Sequence, residues 1–302
     1  FGVLFAAAAA ADARAARLTL AGAMAALIVL AMLLGVEAAA GLPLNTGANP
    51  GLPGDQLLQN PARGLVVFLA LVWPCLAALI AMGGSVRRIA AGLLLVGAGA
   101  LSLQFGQLST AVGFGVGLAA FGLALATPGL AIRVLSLGLA AWMLAAPFLT
   151  PLIFAHAALL DALPHSSAVR VGIWRYASAR ILEQPWIGHG LDAGRATTEL
   201  ATYNGEAMRA IPVHPHSASL QIWFETGAIG AALAAAVLAI GGSRVARAFE
   251  RDKPAAAATA GVLAMFGLMA NIGWSIWQEW WMATLFLAAA LVAAVGVRAA
   301  RA

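Results

Sequence analysis

Charged residues are scarce in this 302-residue chain. Lys, Arg, Asp and Glu make up 10% of it, whereas hydrophobic residues make up 62% and the mean hydropathy is +0.91. An ordinary soluble globule would carry about 25% charged residues, so that class is excluded. The apolar blocks are roughly 17–25 residues long, the length at which a helix crosses a bilayer. Short alternating strands, which a transmembrane barrel requires, do not occur.

Cysteine is nearly absent as well. Cys75 is the single one and lies in an apolar block, which excludes an intrachain disulfide and a cysteine-based metal site. Nucleotide-binding motifs are lacking, because the GFGVG run at 113–117 follows no strand, and close helix packing explains its glycines better. His214 and His216 have no third ligand at a suitable spacing. We therefore expect neither a metal nor a cofactor.

The chain also lacks an initiator Met and a signal-peptide pattern, and Phe1 opens within an apolar block. We expect one or more spans to precede it. The net charge is +5, but the arginines are spread among predicted helix ends and form no basic face. Nucleic acid is therefore not an expected partner.

The alternation of apolar blocks and arginine-containing loops predicts the topology. After the end of a span at 1–11, spans are predicted at 18–37, 64–82, 131–156, 218–241, 255–276 and 280–297, with two antiparallel helices within 89–126. Loops rich in Arg face the cytoplasm, which places the loops at 38–62 and 157–216 outside. The chain thus divides into N-terminal spans (1–160), a periplasmic loop (161–216) and C-terminal spans (217–302).

The stretch 161–230 concentrates four of the five histidines and is the best candidate for chemistry. A short helix is predicted at about 167–183, with Arg170 at its start and with a proline and glycines after its end. Arg175 and Arg180 lie on faces where solvent or lipid headgroups would surround them. The face predicted to lie against the membrane surface carries Arg170, Trp174, Ala177 and Ile181.

His216 is the strongest candidate for a catalytic group. It belongs to the sequence HisProHisSer at 214–217, directly before a span. Pro215 stiffens this approach and presents His216 near the N-terminus of the helix. The helix dipole there disfavours an imidazolium and favours a neutral ring. A neutral His is the usual general base near pH 7.

Arg63 and Glu225 are charged residues at or within predicted spans. Arg63 stands at the outer start of a span, where it could snorkel to headgroups or bind a phosphate through its planar donors. Glu225, two turns into the span after His216, would face the bundle interior or a cavity, or pair with an arginine. Intramembrane carboxylates are functional candidates by default.

The segment 277–281, TrpGlnGluTrpTrp, joins the last two spans. Its three tryptophans would most simply form an aromatic belt at the membrane interface. Alternatively, they line a site for sugar or lipid, where Gln278 and Glu279 offer polar contacts.

Three stretches together resemble the O-antigen ligase and Wzy-type polymerase superfamily of bacterial envelope proteins. They are AsnProAlaArgGly at 60–64, the stretch 170–190 with GluGlnProTrpIleGlyHisGly at its end, and HisProHisSerAlaSerLeuGlnIleTrpPheGluThrGlyAlaIleGly at 214–230. In that superfamily a His is followed by ten residues and then Gly, as His216 is by Gly227 here. The resemblance covers about 60–281. Ser217 departs from it, since Asn is commoner at that position.

The resemblance implies an all-α polytopic membrane protein of the bacterial inner membrane, a GT-C-like multi-span bundle with a large periplasmic loop that contains short helices. The implied activity is transfer of a glycan from an undecaprenyl-diphosphate carrier to a hydroxyl acceptor at the periplasmic face, among membrane lipids. In a ligase the acceptor is a sugar of the lipid A-core, and in a polymerase it is another carrier-linked repeat unit. The segment 277–281 favours the ligase.

The same resemblance implies roles for single residues. His216 matches the proposed general base, and Arg63 and Arg170 match arginines that hold the diphosphate. Two arginines can stabilise the charge that develops on the leaving group without a metal, and direct attack would invert the anomeric centre. Candidate supporting residues are His214, Arg175, Glu225, Gln278 and Trp277.

Two other classes remain open. A transporter or flippase for an anionic lipid would share the outward arginines, but it should show internal repeats or paired broken helices, which are not evident. A structural scaffold would explain the spans but would leave the set of Arg63, Arg170 and His216 without a role. Glycan transfer is therefore the favoured prediction.

Overall fold

The computed structural model describes residues 12–155 and 163–299, which form a helical membrane protein. In chain order the elements are α1 (Ala13–Ala40), α2 (Pro43–Ala48), α3 (Gly54–Leu57), α4 (Gln59–Met82), α5 (Ser85–Ser102), α6 (Leu108–Ala126), α7 (Pro128–Ile153), α8 (His165–Glu183), α9 (Ala193–Ala196), β1 (Leu200–Tyr203), β2 (Glu206–Arg209), α10 (Ala218–Ala248), α11 (Lys253–Ile272) and α12 (Glu279–Ala299). Eight described helices, namely α1, α4 to α7 and α10 to α12, are long and apolar enough to cross a bilayer. This confirms the predicted all-α polytopic fold. The span predicted at 1–11 lies outside the described residues.

The outer loop predicted at 38–62 is largely helical. α1 ends at Gly41, whose φ of 74° and N–H bond to the Glu37 carbonyl form a left-handed cap. The Asn45 backbone N–H then donates to Glu37 Oε1 at 2.7 Å, and Asn60 Nδ2 donates to Asn45 Oδ1 at 3.2 Å. The first bond satisfies a backbone N–H of the turn, and the second joins the turn to the start of α4, which begins at Gln59 and thus earlier than predicted.

The described chain forms two compact units, neither of which is continuous in sequence. Among the described residues, the first unit takes 12–132, 245–266 and 279–299, and the second takes 133–155, 163–244 and 267–278. Among the predicted site residues, Arg63 belongs to the first unit, whereas Arg170 and His216 belong to the second. The division at 160 and 216 drawn from the sequence follows chain order and stays a prediction.

α4 is the central helix of the first unit. Its side chains are largely buried from Ala62 to Ala78, and α1 and α12 pack against it. The indole of Trp73 lies against Gly117 of α6 and Gly261 of α11, where any Cβ would overlap the ring. The predicted packing role of the GFGVG glycines is therefore confirmed at Gly117.

The core of the second unit contains apolar side chains from α7, α8 and α10. The α8 face with Trp174, Ala177 and Ile181 is buried in this core, so its predicted position against the membrane surface is wrong. The side chains on this face pack against the protein because α10 offers Trp223 and its neighbours as an apolar partner. Arg170 lies in the second turn of α8, since the helix already begins at His165 and not at Arg170 as predicted.

A short antiparallel hairpin of β1 and β2 follows α9 and was not predicted from the sequence. Its turn contains Asn204 and Gly205, with φ of 49° and 85°. Asn-Gly with two positive φ angles is the strongest short-range hairpin signal, and it was present in the sequence. The Tyr203 ring packs over Gly172 of α8, and its hydroxyl donates to the Ala210 carbonyl at 2.9 Å. The hairpin is therefore fixed to α8.

We predict that Gly117→Ala lowers the free energy of unfolding by about 1–3 kcal/mol, because the new methyl group overlaps the Trp73 ring. The matched control is Gly115→Ala on the same helix, where a Cβ meets nothing within 4 Å. That variant gains helix propensity of up to about 1 kcal/mol and should be no less stable than wild type. Thermal unfolding in detergent ranks the two, and equal losses would contradict the packing role.

Candidate functional site

The C-terminal end of α11 holds both Arg170 and His216. The last helical residue is Ile272, and its carbonyl accepts a hydrogen bond from Arg170 Nη1 at 2.8 Å. The next carbonyl, that of Gly273, accepts from His216 Nδ1 at 2.8 Å. The last carbonyls of a helix have no partner within it and lie at its negative end. The two side chains satisfy these groups, and residues distant in sequence therefore come together.

The Gly273 carbonyl fixes the tautomer of His216. A carbonyl oxygen only accepts, so Nδ1 of the ring carries the proton. In the neutral ring Nε2 is then unprotonated and can accept a proton. His216 has a φ of 53°, a left-handed conformation that is uncommon for a residue with a side chain and is often found at functional sites. The turn before α10 therefore provides a histidine that is ready to act as a base.

His214 lies against His216, with ring centroids 4.3 Å apart. Its Nδ1 accepts a bond from the His216 backbone N–H at 3.1 Å, which stabilises the left-handed turn. Burial lowers the pKa of His214 to about 3, and the neighbouring His216, Arg195 and Arg170 act in the same direction.

Burial also lowers the pKa of His216 to about 4; the hydrogen bond to Gly273 opposes this shift, and the charge of Arg170 adds to it. Both rings are therefore neutral at pH 7. A neutral His216 was expected from the helix dipole, but the larger physical cause is removal from water.

Asn271, near the end of α11, ties this helix end to α7 and α10. Its Oδ1 accepts from three donors, which are Trp142 Nε1 at 3.1 Å, Ser217 Oγ at 3.3 Å and Ser219 N at 3.3 Å. Its Nδ2 donates to the Gly267 carbonyl at 2.8 Å within the helix. Ser217 therefore has a structural partner although it departs from the commoner Asn.

A second network joins α10 to the segment after α11. Gln221 Oε1 accepts from Ser275 Oγ at 3.1 Å and from Ile276 N at 3.2 Å. Gln221 Nε2 donates to Glu225 Oε1 at 2.9 Å, and Trp277 Nε1 donates to Glu225 Oε2 at 2.6 Å. Glu225 is only 3% exposed, so an amide and an indole satisfy its carboxylate in place of the arginine considered from the sequence.

α10 is broken at Gly227, where φ is 63° and ψ is −162°. At the break, two carbonyl groups and two N–H groups of α10 have no partner within the helix. Main-chain groups of the loop at 185–190 bind them instead. The bonds run from His189 N to Phe224 O (2.8 Å), Gly190 N to Glu225 O (3.0 Å), Ala228 N to Pro185 O (2.7 Å) and Ile229 N to Trp186 O (3.3 Å). Glycine is required at 227 because the positive φ angle disfavours any residue with a side chain. A Cβ at this position would also overlap the Trp186 carbonyl.

The other predicted arginines also bind protein groups. Their acceptors are Gln59 Oε1 for Arg63 at 3.3 Å, the Phe154 carbonyl for Arg175, and Glu183 Oε2 for Arg180 at 2.6 Å. Arg63 lies near the start of α4 in the first unit. The prediction that solvent or headgroups surround Arg175 is wrong, because this side chain is bonded to a main-chain carbonyl outside α8. Arg180 forms an ion pair with Glu183 of the same helix in which both side chains are partly exposed, as on the solvated face that was predicted.

The segment 277–281 does not form the simple aromatic belt that was predicted. Trp281 is 3% exposed and packs on Phe266 with ring centroids 4.3 Å apart. Trp277 is half exposed, and its indole N–H is bound to Glu225. Gln278 Oε1 is buried and accepts no hydrogen bond from the part of the chain that the structure describes.

Sequence reasoning missed the residues that hold the site together, namely Asn271, Gly273, Gln221 and Ser275. Asn271 stands within an apolar span, and a polar residue in such a span is a signal that could have identified it. Gly273 acts through its main-chain carbonyl, for which a sequence has no signal.

The fold and the site define a class of protein. It is a multi-pass membrane protein in which a guanidinium and a neutral histidine meet at the end of a membrane-spanning helix. The sequence profile of the O-antigen ligase family matches residues 57–235, more than half of the chain. The chain belongs to this family.

Three rickettsial proteins, each named "Putative polysaccharide ligase", are similar to part of the chain. Those of Rickettsia conorii, Rickettsia typhi and Rickettsia bellii are 29%, 28% and 29% identical to it over 123 residues. The matched segment is 39% of this chain and 29%, 29% and 30% of these relatives, so the chain spans less than a third of their length. No solved structure gives a significant match.

We predict that Asn271→Ala lowers the free energy of unfolding by about 1–3 kcal/mol, because buried donors on α7 and α10 lose their acceptor. The control is Thr259→Ala on the same helix, which removes only a bond from Thr259 Oγ1 to the Ala255 carbonyl one turn away. Thermal unfolding in detergent should show the smaller loss for the control. If Asn271→Ala loses no more thermal stability than Thr259→Ala, the idea that Asn271 connects α11 to α7 and α10 is wrong.

Proposed function

We propose that this chain transfers a glycan from an undecaprenyl-diphosphate carrier to a hydroxyl of a lipid A-core acceptor, at the periplasmic face of the inner membrane. The observation that carries the proposal is the pair of adjacent carbonyls that hold Arg170 and His216. Glycosyl transfer from a diphosphate requires a permanent cation for the leaving group and a base for the acceptor. Both groups are bonded here to adjacent carbonyls of one short segment.

His216 serves as the general base. Its Nε2 accepts the proton of the acceptor hydroxyl while that oxygen forms a bond to the anomeric carbon. The bond from this carbon to the diphosphate oxygen breaks, and its electron pair leaves with the diphosphate. Attack opposite the leaving group inverts the anomeric centre. The imidazolium that forms is stabilised by the Gly273 carbonyl, which accepts the Nδ1 proton throughout.

Arg170 binds the diphosphate. Burial lowers its pKa, but a guanidinium remains charged across the physiological range. Only Nη1 is bound within the described protein, to the Ile272 carbonyl. The other donors of the planar group are thus available for phosphate oxygens, for which their geometry is suited. The same role for Arg63 rests on the sequence pattern and stays a prediction that the binding assay below tests.

The supporting residues act by position. His214 stabilises the backbone turn at His216, and Glu225 and Trp277 hold the segment after α11. Arg175 fixes α8 to the end of α7 through the Phe154 carbonyl. None of these roles requires contact with the substrate.

The test is an assay with the purified full-length protein, a glycan-loaded undecaprenyl diphosphate and a lipid A-core acceptor, without added nucleotide or metal. We expect a glycosylated acceptor from the wild type. His216→Ala should lower kcat by about 10²–10⁴-fold and leave donor binding largely intact, because a proton acceptor and not an anion contact is lost. His165→Ala is the matched control, since that histidine is exposed on the same loop and bonded to Asn204.

Arg170→Ala and Arg63→Ala should weaken donor binding by about 10–100-fold, the loss expected for a charge-assisted hydrogen bond. Arg170→Lys keeps the charge and should weaken binding less. Equal loss of donor binding in the His216 and arginine variants would contradict the separate roles. Longer carrier-linked chains as the product would indicate a polymerase, and no product with either acceptor would favour a transporter.

The pH dependence of the reaction tests the environment of His216. Its pKa in the substrate-free protein is about 4, so kcat/KM should be level from about pH 8 to pH 5 and fall only below that range. A bound diphosphate offsets the charge of Arg170 and raises the pKa of His216. The acid limb of kcat should therefore lie at a higher pH than that of kcat/KM. An acid limb of kcat/KM near the ordinary His value of about 6.5 would contradict the effect of burial.

A further inference from the structure

The loop between α8 and α9 exposes an unusual group of apolar side chains. They are Trp186, Ile187 and Leu191, and Leu182 in the last turn of α8 is exposed beside them. Trp186 is 72% exposed and Ile187 is 70% exposed, although a loop in water normally carries polar residues at such positions. No Asp, Glu, Lys or Arg occurs from 184 to 191. We name the stretch 184–191 the apolar loop.

The apolar loop is bonded to a membrane-spanning helix. The Ile229 N–H of α10 donates to the Trp186 carbonyl at 3.3 Å, and the Ala228 N–H donates to the Pro185 carbonyl at 2.7 Å. Ile229 is also the first member of an exposed apolar stripe at helical spacing, which continues with Leu233, Val237 and Ile240. In a spanning helix such a stripe faces lipid, so the exposed surface of the apolar loop continues a lipid-facing surface.

The length of α10 places this contact at the edge of the bilayer. Between the break at Gly227 and the first arginine, Arg244, the helix is about 25 Å long at 1.5 Å per residue. The hydrocarbon core is about 30 Å thick, and a charged side chain lies at or beyond its boundary. If Arg244 lies at the inner boundary, the break lies at or just within the outer one. The apolar loop, which is bonded to the break, lies at the same level.

We propose that the apolar loop inserts into the outer edge of the membrane, with Trp186 and Ile187 in contact with lipid. The occupant of this surface is lipid hydrocarbon, because the loop and the stripe of α10 form one continuous apolar surface. Tryptophan at this depth is favoured, since its amphipathic ring suits the interface. The insertion anchors the C-terminal end of α8 to the membrane, and α8 carries Arg170.

Spin labelling of the full-length protein in liposomes tests this proposal. In a Cys75→Ala background, which removes the single cysteine of the 302-residue sequence, a nitroxide is attached at Ile187→Cys or at Leu191→Cys. The control is Leu200→Cys, a 78% exposed position on the hairpin that pairs with Arg209 and follows Glu199. Power saturation then compares collision with oxygen, which concentrates in lipid, and with a water-soluble nickel complex.

We expect the oxygen-to-nickel accessibility ratio to be several-fold higher at 187 and 191 than at 200. A ratio at 187 and 191 equal to that at 200 would show that the apolar loop faces water and would overturn the proposal. Low accessibility to both reagents at 187 and 191 would also overturn it, because protein would then cover the loop. Retention of the wild-type unfolding temperature confirms that each labelled variant is folded. Two label positions are used so that a local distortion at one of them does not decide the result.

Discussion

A helix that ends beside a membrane cannot leave its last carbonyl groups without donors, since little water is present to supply them. At the end of α11 the donors come from Arg170 and His216. Because the last carbonyl groups of α11 need donors, a guanidinium and an imidazole lie next to each other. The partial negative charge of the helix end stabilises the guanidinium cation. Asn271 and Gln221 then hold this end against α10, so the two groups are fixed to a rigid support.

The same requirement explains the break in α10. Non-helical backbone at the level of the membrane is tolerated only where other protein groups satisfy it, and the loop at 185–190 supplies those groups. This loop follows α8, whose start is already bound to α11 through Arg170. α8 is thus held near its start by the side chain of Arg170 and after its end by main-chain bonds of the following loop, in both cases to spanning helices. Burial of His216 in this setting lowers its pKa and keeps the ring neutral.

Hydropathy and charge were sufficient to predict the spans, because their lengths and their flanking arginines follow from the bilayer alone. The pattern of motifs was also sufficient to select Arg170, His216 and Gly227 for attention. The burial of Trp174 could not be predicted, since an apolar helix face looks the same in sequence whether protein or lipid covers it. The partner of Arg175 could not be predicted either. Every residue has a main-chain carbonyl, so the sequence does not indicate which carbonyl accepts from this side chain.

The groups that accept from Arg170 and His216 belong to the main chain, so no single replacement at 272 or 273 can remove them. Consecutive Cα atoms are about 3.8 Å apart, and this covalent distance sets the spacing of the two carbonyls that bind Arg170 and His216. Insertion or deletion of one residue at the end of α11, before Ile272, would move both carbonyls out of register with their partners at once, whereas a substitution there leaves both carbonyls in place.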